Sequence, residues 1–119
     1  MEVVRMGIEF FRIESTPQAA IVDLRLPEAI DSTEFDALND ALTGAIASSP
    51  LDAWVIDLSA VSYMGSAMLG LMVNVRQQIK SRNGRLVLCA MHPRLLDIFR
   101  TCCMERLFTI VRTRAEALK

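Results

Sequence analysis

Residues 53–58 form a nearly continuous apolar run, Ala53-Trp54-Val55-Ile56-Asp57-Leu58. Polar and apolar side chains do not alternate in it, which is typical of a strand that is covered on both faces. A second run of this kind extends from Arg85 to Ala90. Two buried strands of this type predict the centre of a parallel sheet with helices packed against it.

Helices are predicted on both sides of residues 53–58. The downstream helix begins near Gly65-Ser66 and continues to Ser81. The upstream helix has apolar residues at helical spacing and ends at Ser48-Ser49-Pro50. Asp31 or Ser32 is its natural N-cap, because a short polar side chain can accept a hydrogen bond from the first turn.

The two ends of the chain complete the element order. Residues 8–14 and 19–26 predict two strands joined by a short turn, which form a hairpin. After the second buried strand come a helix that starts at Pro93, a strand at 107–112 and helical turns at 113–119. The resulting order, β-β-α-β-α-β-α-β-α, predicts one α/β domain over residues 1–119, with a mixed sheet made of a hairpin and parallel βα units.

Length and composition suit such a domain. The chain has 119 residues, 52% of them apolar, which is enough for one folded unit and too short for two good cores. It contains no apolar run long enough for a membrane span and no signal-peptide pattern at its start. With only three cysteines, two of them adjacent, a disulfide framework is not expected. We therefore expect a soluble, cytoplasmic protein without membrane insertion.

Charge is distributed unequally along the chain. Residues 1–60 hold three basic and eleven acidic side chains, whereas residues 61–119 hold ten basic and three acidic ones. The basic residues form no run and are not interleaved with aromatic ones, as a nucleic-acid surface would require. We expect opposite charges to meet within the fold or to lie on separate solvated faces, with no direct nucleic-acid partner.

Catalytic constellations are missing from the sequence. The one histidine, His92, has no second metal ligand at a suitable spacing. Cys102 and Cys103 are expected to pack as small apolar residues where a helix ends. Gly65 and Gly70 do not form a phosphate-binding loop, because Leu71 stands where that loop needs lysine. The sequence predicts a protein that is not an enzyme and has no metal site or cofactor.

The start of the second predicted helix is the candidate functional site. It follows a buried strand, and surfaces beyond the carboxyl ends of such strands often bind ligands. On composition alone, Ser66 is more simply explained as the N-cap of that helix. The helix also has more apolar residues than one stripe needs; neighbouring helices could cover the surplus, or it could form a methionine-rich patch for a partner or a homodimer.

The same region resembles a known family, the STAS domain of bacterial anti-sigma-factor antagonists. In that family a strand ends in D-L-S and is followed by an aromatic residue and a D-S-[ST]-G-L-G helix start. The corresponding residues are Asp57-Leu58-Ser59, Tyr63-Met64 and the run Gly65-Ser66-Ala67-Met68-Leu69-Gly70. Further likeness lies in Asn83-Gly84-Arg85-Leu86-Val87-Leu88 and Met104-Glu105-Arg106-Leu107-Phe108. Gly65, Ala67 and Met68 depart from the pattern, which has Asp, Ser or Thr, and Gly there.

The resemblance implies a STAS-like fold and a binding module that acts in partner switching. The partner would be an anti-sigma factor that is a protein-serine kinase, and ATP and Mg²⁺ would belong to that kinase. Ser66 would be the phosphoacceptor. The resemblance also implies these partner-binding residues: Asp31, Tyr63, Met64, Gly65, Ala67, Met68 and Leu69. The alternative is a scaffold or accessory subunit of a sensory or transport complex that is never phosphorylated.

Overall fold

The computed structural model of the chain describes residues 10–119 and contains the predicted elements in the predicted order. The predicted first strand began at residue 8, and residues 8 and 9 lie outside the described residues. The last strand is three residues long rather than six, because residues 105–107 form turns. The elements are β1 Phe11–Ser15, β2 Ala20–Arg25, α1 Ser32–Ser48, β3 Ala53–Ala60, α2 Ser66–Ser81, β4 Arg85–Cys89, α3 Pro93–Thr101, β5 Thr109–Val111 and α4 Arg114–Ala117.

The five strands form one mixed sheet in the order β1-β2-β3-β4-β5. β1 pairs antiparallel with β2, and every later pair is parallel. Each crossover therefore advances in the same direction, and right-handed crossovers of this kind place all their helices on one face of the sheet. The hairpin and the parallel βα units predicted from the sequence are confirmed.

The main core lies between the sheet and α1, α2 and α3. Helix α2 buries nearly all of its apolar side chains there, which explains why they cover more than one face: the sheet lies on one side and α1 on another. The hypothesis of an exposed methionine-rich patch on α2 is therefore wrong. The additional apolar residues of this helix are buried and give no support to a homodimer. The buried residues of α2 are Met68, Leu69, Leu71, Met72, Val75 and Ile79.

A smaller apolar cluster covers the opposite face of the sheet. It joins Ile21, Val55 and Val87 to Ala117 of the short helix α4. Strands β3 and β4 are thus buried on both faces, as their continuous apolar runs predicted, and this cluster also covers the second face of β2. Within residues 10–119, no helix is long and apolar enough to cross a membrane.

Ion pairs link the acidic first half of the chain to the basic second half. Arg82 pairs with Asp52 and Arg94 pairs with Glu28, each at 3.2 Å. Arg114 reaches Asp57 as well. These contacts confirm that opposite charges meet within the fold.

The cysteines differ from the sequence-based expectation. Cys89 is buried in β4, but Cys102 and Cys103 are exposed, so their predicted packing at the end of α3 is wrong. The reason is the turn that ends the helix: Cys103 has φ 58°, a left-handed conformation that directs the chain away from the helix. Glycine is the residue that adopts this conformation without strain.

Arg82 holds the carboxyl end of α1. Its guanidinium donates hydrogen bonds to the backbone oxygens of Ile46, Ser49 and Leu51, which lie in the last turn of the helix and in the connection that follows it. We predict that Arg82→Ala lowers the free energy of unfolding by about 2 kcal/mol, because several charge-assisted hydrogen bonds are lost together. Urea denaturation measures this, with the exposed Arg106→Ala as a control that should stay within about 0.5 kcal/mol of the parent. An equal loss of unfolding free energy in the two variants would contradict the stabilising role of the Arg82 hydrogen bonds.

Candidate functional site

The candidate site begins where β3 leaves the sheet. The amide of Val61 donates to the backbone oxygen of Leu58 and turns the chain out of the strand. Val61 and Met64 are both buried and anchor the connection, whereas Tyr63 between them is 38% exposed. The connection therefore presents an aromatic ring on a fixed base just before α2 begins.

Gly65 is the N-cap of α2, and Ser66 is the first residue of the helix. The prediction that Ser66 is the cap is therefore wrong. Because glycine has no side chain, no side-chain cap bonds the amides of the first turn. Ser66 and Ala67 are both exposed. The serine hydroxyl thus lies at the positive end of a helix whose first amides lack a side-chain acceptor.

An open groove of about 810 Å³ lies between the start of α2 and helix α3. Met64 and Leu69 contribute to it although both are mostly covered, while Ile98 adds an apolar wall from α3. Its residues are Tyr63, Met64, Gly65, Ser66, Leu69, Arg94, Asp97, Ile98, Thr101 and Cys102. The groove thus has an apolar base and polar residues at its edge, and Ser66 is one of these polar residues.

Arg94 connects three segments around this groove. Its guanidinium carbon lies 5.4 Å from the centre of the Tyr63 ring, within the range of a cation–π contact. Its Nη1 atom lies 3.2 Å from Glu28 Oε1 in the connection between β2 and α1. Arg94 and Glu28 are not among the residues predicted from the sequence, since no motif links positions so far apart in the chain.

A family model for the STAS domain matches residues 12–117. The chain belongs to the STAS-domain family. The candidate anti-sigma factor antagonist BtrV of Bordetella bronchiseptica is 30% identical over 63 residues, which are 53% of this chain and 54% of BtrV. The match thus spans about half of this curated relative.

Solved structures share the fold of this STAS domain. An anti-sigma factor antagonist from Mycobacterium paratuberculosis is 26% identical, with a TM-score of 0.75 over 91% of this chain and 89% of that one. The unphosphorylated anti-sigma factor antagonist SpoIIAA is 18% identical, with a TM-score of 0.71 over 90% of this chain and 91% of that one. SpoIIAA, a Bacillus protein, has also been solved in a phosphorylated form, with a TM-score of 0.65.

The predicted contact residues of this STAS domain do not all reach the surface. Tyr63, Gly65 and Ala67 are accessible, and Leu69 is 8% exposed beneath the groove. Met64 and Met68 are 2% and 3% exposed and pack in the main core, so the structure contradicts both predictions of a surface contact, although Met64 lines the base of the groove. Met68 is buried because, one residue after the exposed Ala67, it lies on the face of α2 that packs into the core.

Asp31 lies away from the groove at the start of α1. It is the N-cap of that helix, as one of the two sequence alternatives predicted, and its carboxylate accepts from the Glu34 amide at 2.8 Å. Glu34 Oε1 accepts from the Asp31 amide in return, which completes a capping box. Asp31 is exposed, so a contact with a partner stays a prediction.

His92 fastens the start of α3 to the end of β3. Its Nε2 atom lies 2.8 Å from the backbone oxygen of Ser59, a hydrogen bond between two segments that flank the groove. Among residues 10–119, no three histidine, cysteine or acidic side chains lie close enough to hold a metal ion.

Asp57 anchors the end of β3 from the opposite face of the sheet. Its Oδ1 accepts from the Ser59 amide at 2.9 Å, and its Oδ2 accepts from Arg114 Nε and Nη2 at 3.1 and 2.9 Å. Burial raises the pKa of this carboxyl, but the bonds from Ser59 and Arg114 outweigh burial and the pKa is lowered. The pair joins α4 to the strand from which the site connection leaves.

The Asp57 pair predicts an acid-sensitive contribution to stability. Because the pKa is lower in the folded state, the contribution is complete above the ordinary aspartate value of 3.8 and is lost as pH falls below it. We expect Asp57→Asn to be less stable at neutral pH and to lose less additional stability than the parent from about pH 5 downward. Urea denaturation at a series of pH values measures the free energy of unfolding of each protein and its slope against pH. The exposed Asp40→Asn variant should keep the slope of the parent, and an unchanged slope in Asp57→Asn would contradict the prediction.

Proposed function

We propose that this STAS domain is an anti-sigma factor antagonist that binds an anti-sigma factor with protein-serine kinase activity. The proposed contact surface is the start of α2 with the adjoining groove, and phosphorylation of Ser66 releases the partner. Membership of the STAS family supports the proposal, as do the names of its relatives. The chain would act in the cytoplasm, where the kinase finds ATP and Mg²⁺.

The observation that carries this proposal is the position of the Ser66 hydroxyl. It is exposed on the first residue of a helix, beside an apolar groove, and within residues 10–119 no hydrogen bond occupies it. A kinase can therefore reach the hydroxyl without unfolding the domain. In the relative SpoIIAA, the same fold has been solved in a phosphorylated and an unphosphorylated form.

Phosphorylation at this position would act on the interface rather than on the fold. A phosphate adds about −1.5 to −2 charges at neutral pH, and the positive end of α2 favours negative charge. A partner that covers Tyr63 and the groove would have to strip water from that phosphate without supplying a matching charge. The domain therefore stays folded while the complex loses affinity.

One observation favours the alternative of a scaffold that is never phosphorylated. Gly65 stands where the family pattern has aspartate, so the start of α2 lacks an acidic side chain next to the serine. If a kinase needs that carboxylate, Ser66 stays unmodified and the domain binds its partner constitutively. Binding that is indifferent to ATP and to changes at Ser66 would identify this case.

Replacement of Ser66 tests the proposed switch. We expect Ser66→Asp to weaken binding to the anti-sigma factor at least about tenfold, or about 1.4 kcal/mol, because a partner that covers the site would have to strip water from the carboxylate. Its free energy of unfolding should change by less than about 1 kcal/mol, since an acid is favourable at a helix N-terminus. Isothermal titration calorimetry with the co-purifying anti-sigma factor measures the first effect, and urea denaturation measures the second.

Two variants serve as controls. Gln77→Glu adds a charge to the exposed face of the same helix and should leave affinity unchanged. Ser66→Ala should bind as well as the parent and should stay bound when ATP and Mg²⁺ are added. If Ser66→Asp bound as tightly as Gln77→Glu, the proposed switch would be excluded.

A further inference from the structure

Arg94 holds an unusual position for a surface arginine. It lies in the first turn of α3, lines the groove that Ser66 also lines, and contacts both Tyr63 and Glu28. Its side chain is 58% exposed, so water surrounds much of the guanidinium and its present contacts can exchange. A flexible cation thus shares one concave surface with the proposed phosphoacceptor.

The other charged residue of the groove does not compensate Arg94. Asp97 lies one turn further along α3, and its carboxylate contacts Arg100 at 3.7 Å rather than Arg94. Among the described residues that line the groove, Arg94 is the one cation. An anion placed on Ser66 would therefore have a single side-chain partner of opposite charge within the groove.

We propose that Arg94 is the internal receptor for a phosphate on Ser66, and that it leaves Glu28 to bind this phosphate. The inference rests on the proposed function, because the phosphate must be on Ser66. Modification would then do more than add charge to the interface. It would also break the contacts of Arg94 with Glu28 and Tyr63, which now join α3 to the β2–α1 connection and to the β3–α2 connection.

The two acceptors compete unequally for Arg94. Exposed ion pairs such as Arg94–Glu28 contribute about 0–1 kcal/mol. A phosphate offers up to two charges and three acceptor oxygens, and arginine can bind it through two parallel hydrogen bonds. The first amides of α2 have no side-chain cap and would stabilise the same phosphate. The competition therefore favours the phosphate.

The exchange would alter the surface in two places at once. Tyr63 would lose the guanidinium that now lies against its ring, and this ring is a large apolar group that is exposed at the site. Glu28 would lose its partner, which frees the connection that leads to Asp31. Both proposed contact segments would thus respond to one phosphate.

The experiment places phosphoserine at position 66 during translation, so that no kinase is needed, and follows the phosphate by ³¹P NMR against pH. An unperturbed phosphoserine has its second pKa near about 6. We expect Arg94→Gln to raise this pKa by about half a unit or more relative to the otherwise unchanged phosphoprotein, because the dianion loses its cation. Glu28→Gln should lower it, because the competing carboxylate is gone.

Arg106→Gln is the matched control. It removes the same charge at an exposed position just before β5 that does not line the groove, and it should leave the titration unchanged. Arg94→Lys keeps the charge without the paired donors and should give an intermediate pKa. Amide spectra of the unphosphorylated variants verify that each is folded, so a failure to fold is not mistaken for a lost contact.

The outcomes separate this inference from the proposed function. If Arg94→Gln titrates like Arg106→Gln, the phosphate rests on α2 alone and the receptor role of Arg94 is overturned. If Glu28→Gln leaves the pKa unchanged while Arg94→Gln raises it, Arg94 binds the phosphate but the exchange with Glu28 is overturned. Absence of phosphate on Ser66 in cells would instead defeat the proposed function, and the titration of the synthetic phosphoprotein would still measure the affinity of Arg94.

Discussion

Strand β3 must be covered on both faces, and much of the molecule is arranged to cover it. Its residues Val55 and Ile56 face opposite sides of the sheet, one towards α4 and the other towards the main core. Because successive parallel strands are added in one direction, the three crossover helices lie together on the core side. The end of β3 is consequently held from both faces of the sheet, and the buried Val61 and Met64 hold the connection to α2.

The anchored connection between β3 and α2 determines where the exposed residues of the site lie. Val61 and Met64 are buried and anchor the connection after β3. The backbone that carries the exposed Tyr63 and Ser66 is therefore attached to the core at neighbouring residues. A hydroxyl on such a platform can be modified without cost to the core. The function proposed for the domain needs this separation, since a signalling domain must change its surface and keep its fold.

The sequence predicted the element order and the family, because both depend on local patterns such as the apolar run at 53–58. It could not decide which residue caps α2, since Gly65 and Ser66 are both acceptable caps and only the backbone geometry separates them. The resemblance implies Met68 as a contact residue, and the apolar pattern does not correct this, because a helix that is apolar nearly all round does not reveal which side faces out. The contacts of Arg94 with Tyr63 and Glu28 were beyond prediction, because tertiary packing alone brings them together.

The proposed switch is tested most directly on the protein from its own cells. The protein would be purified from resting and from stressed cells, and its intact mass would be measured. The modified residue would then be mapped and any bound protein identified. We expect phosphate on Ser66 in one of these conditions, and a complex of the unmodified form with a small ATP-binding kinase. An unmodified Ser66 under both conditions, together with a bound partner that is not a kinase, would contradict it and support the constitutive scaffold.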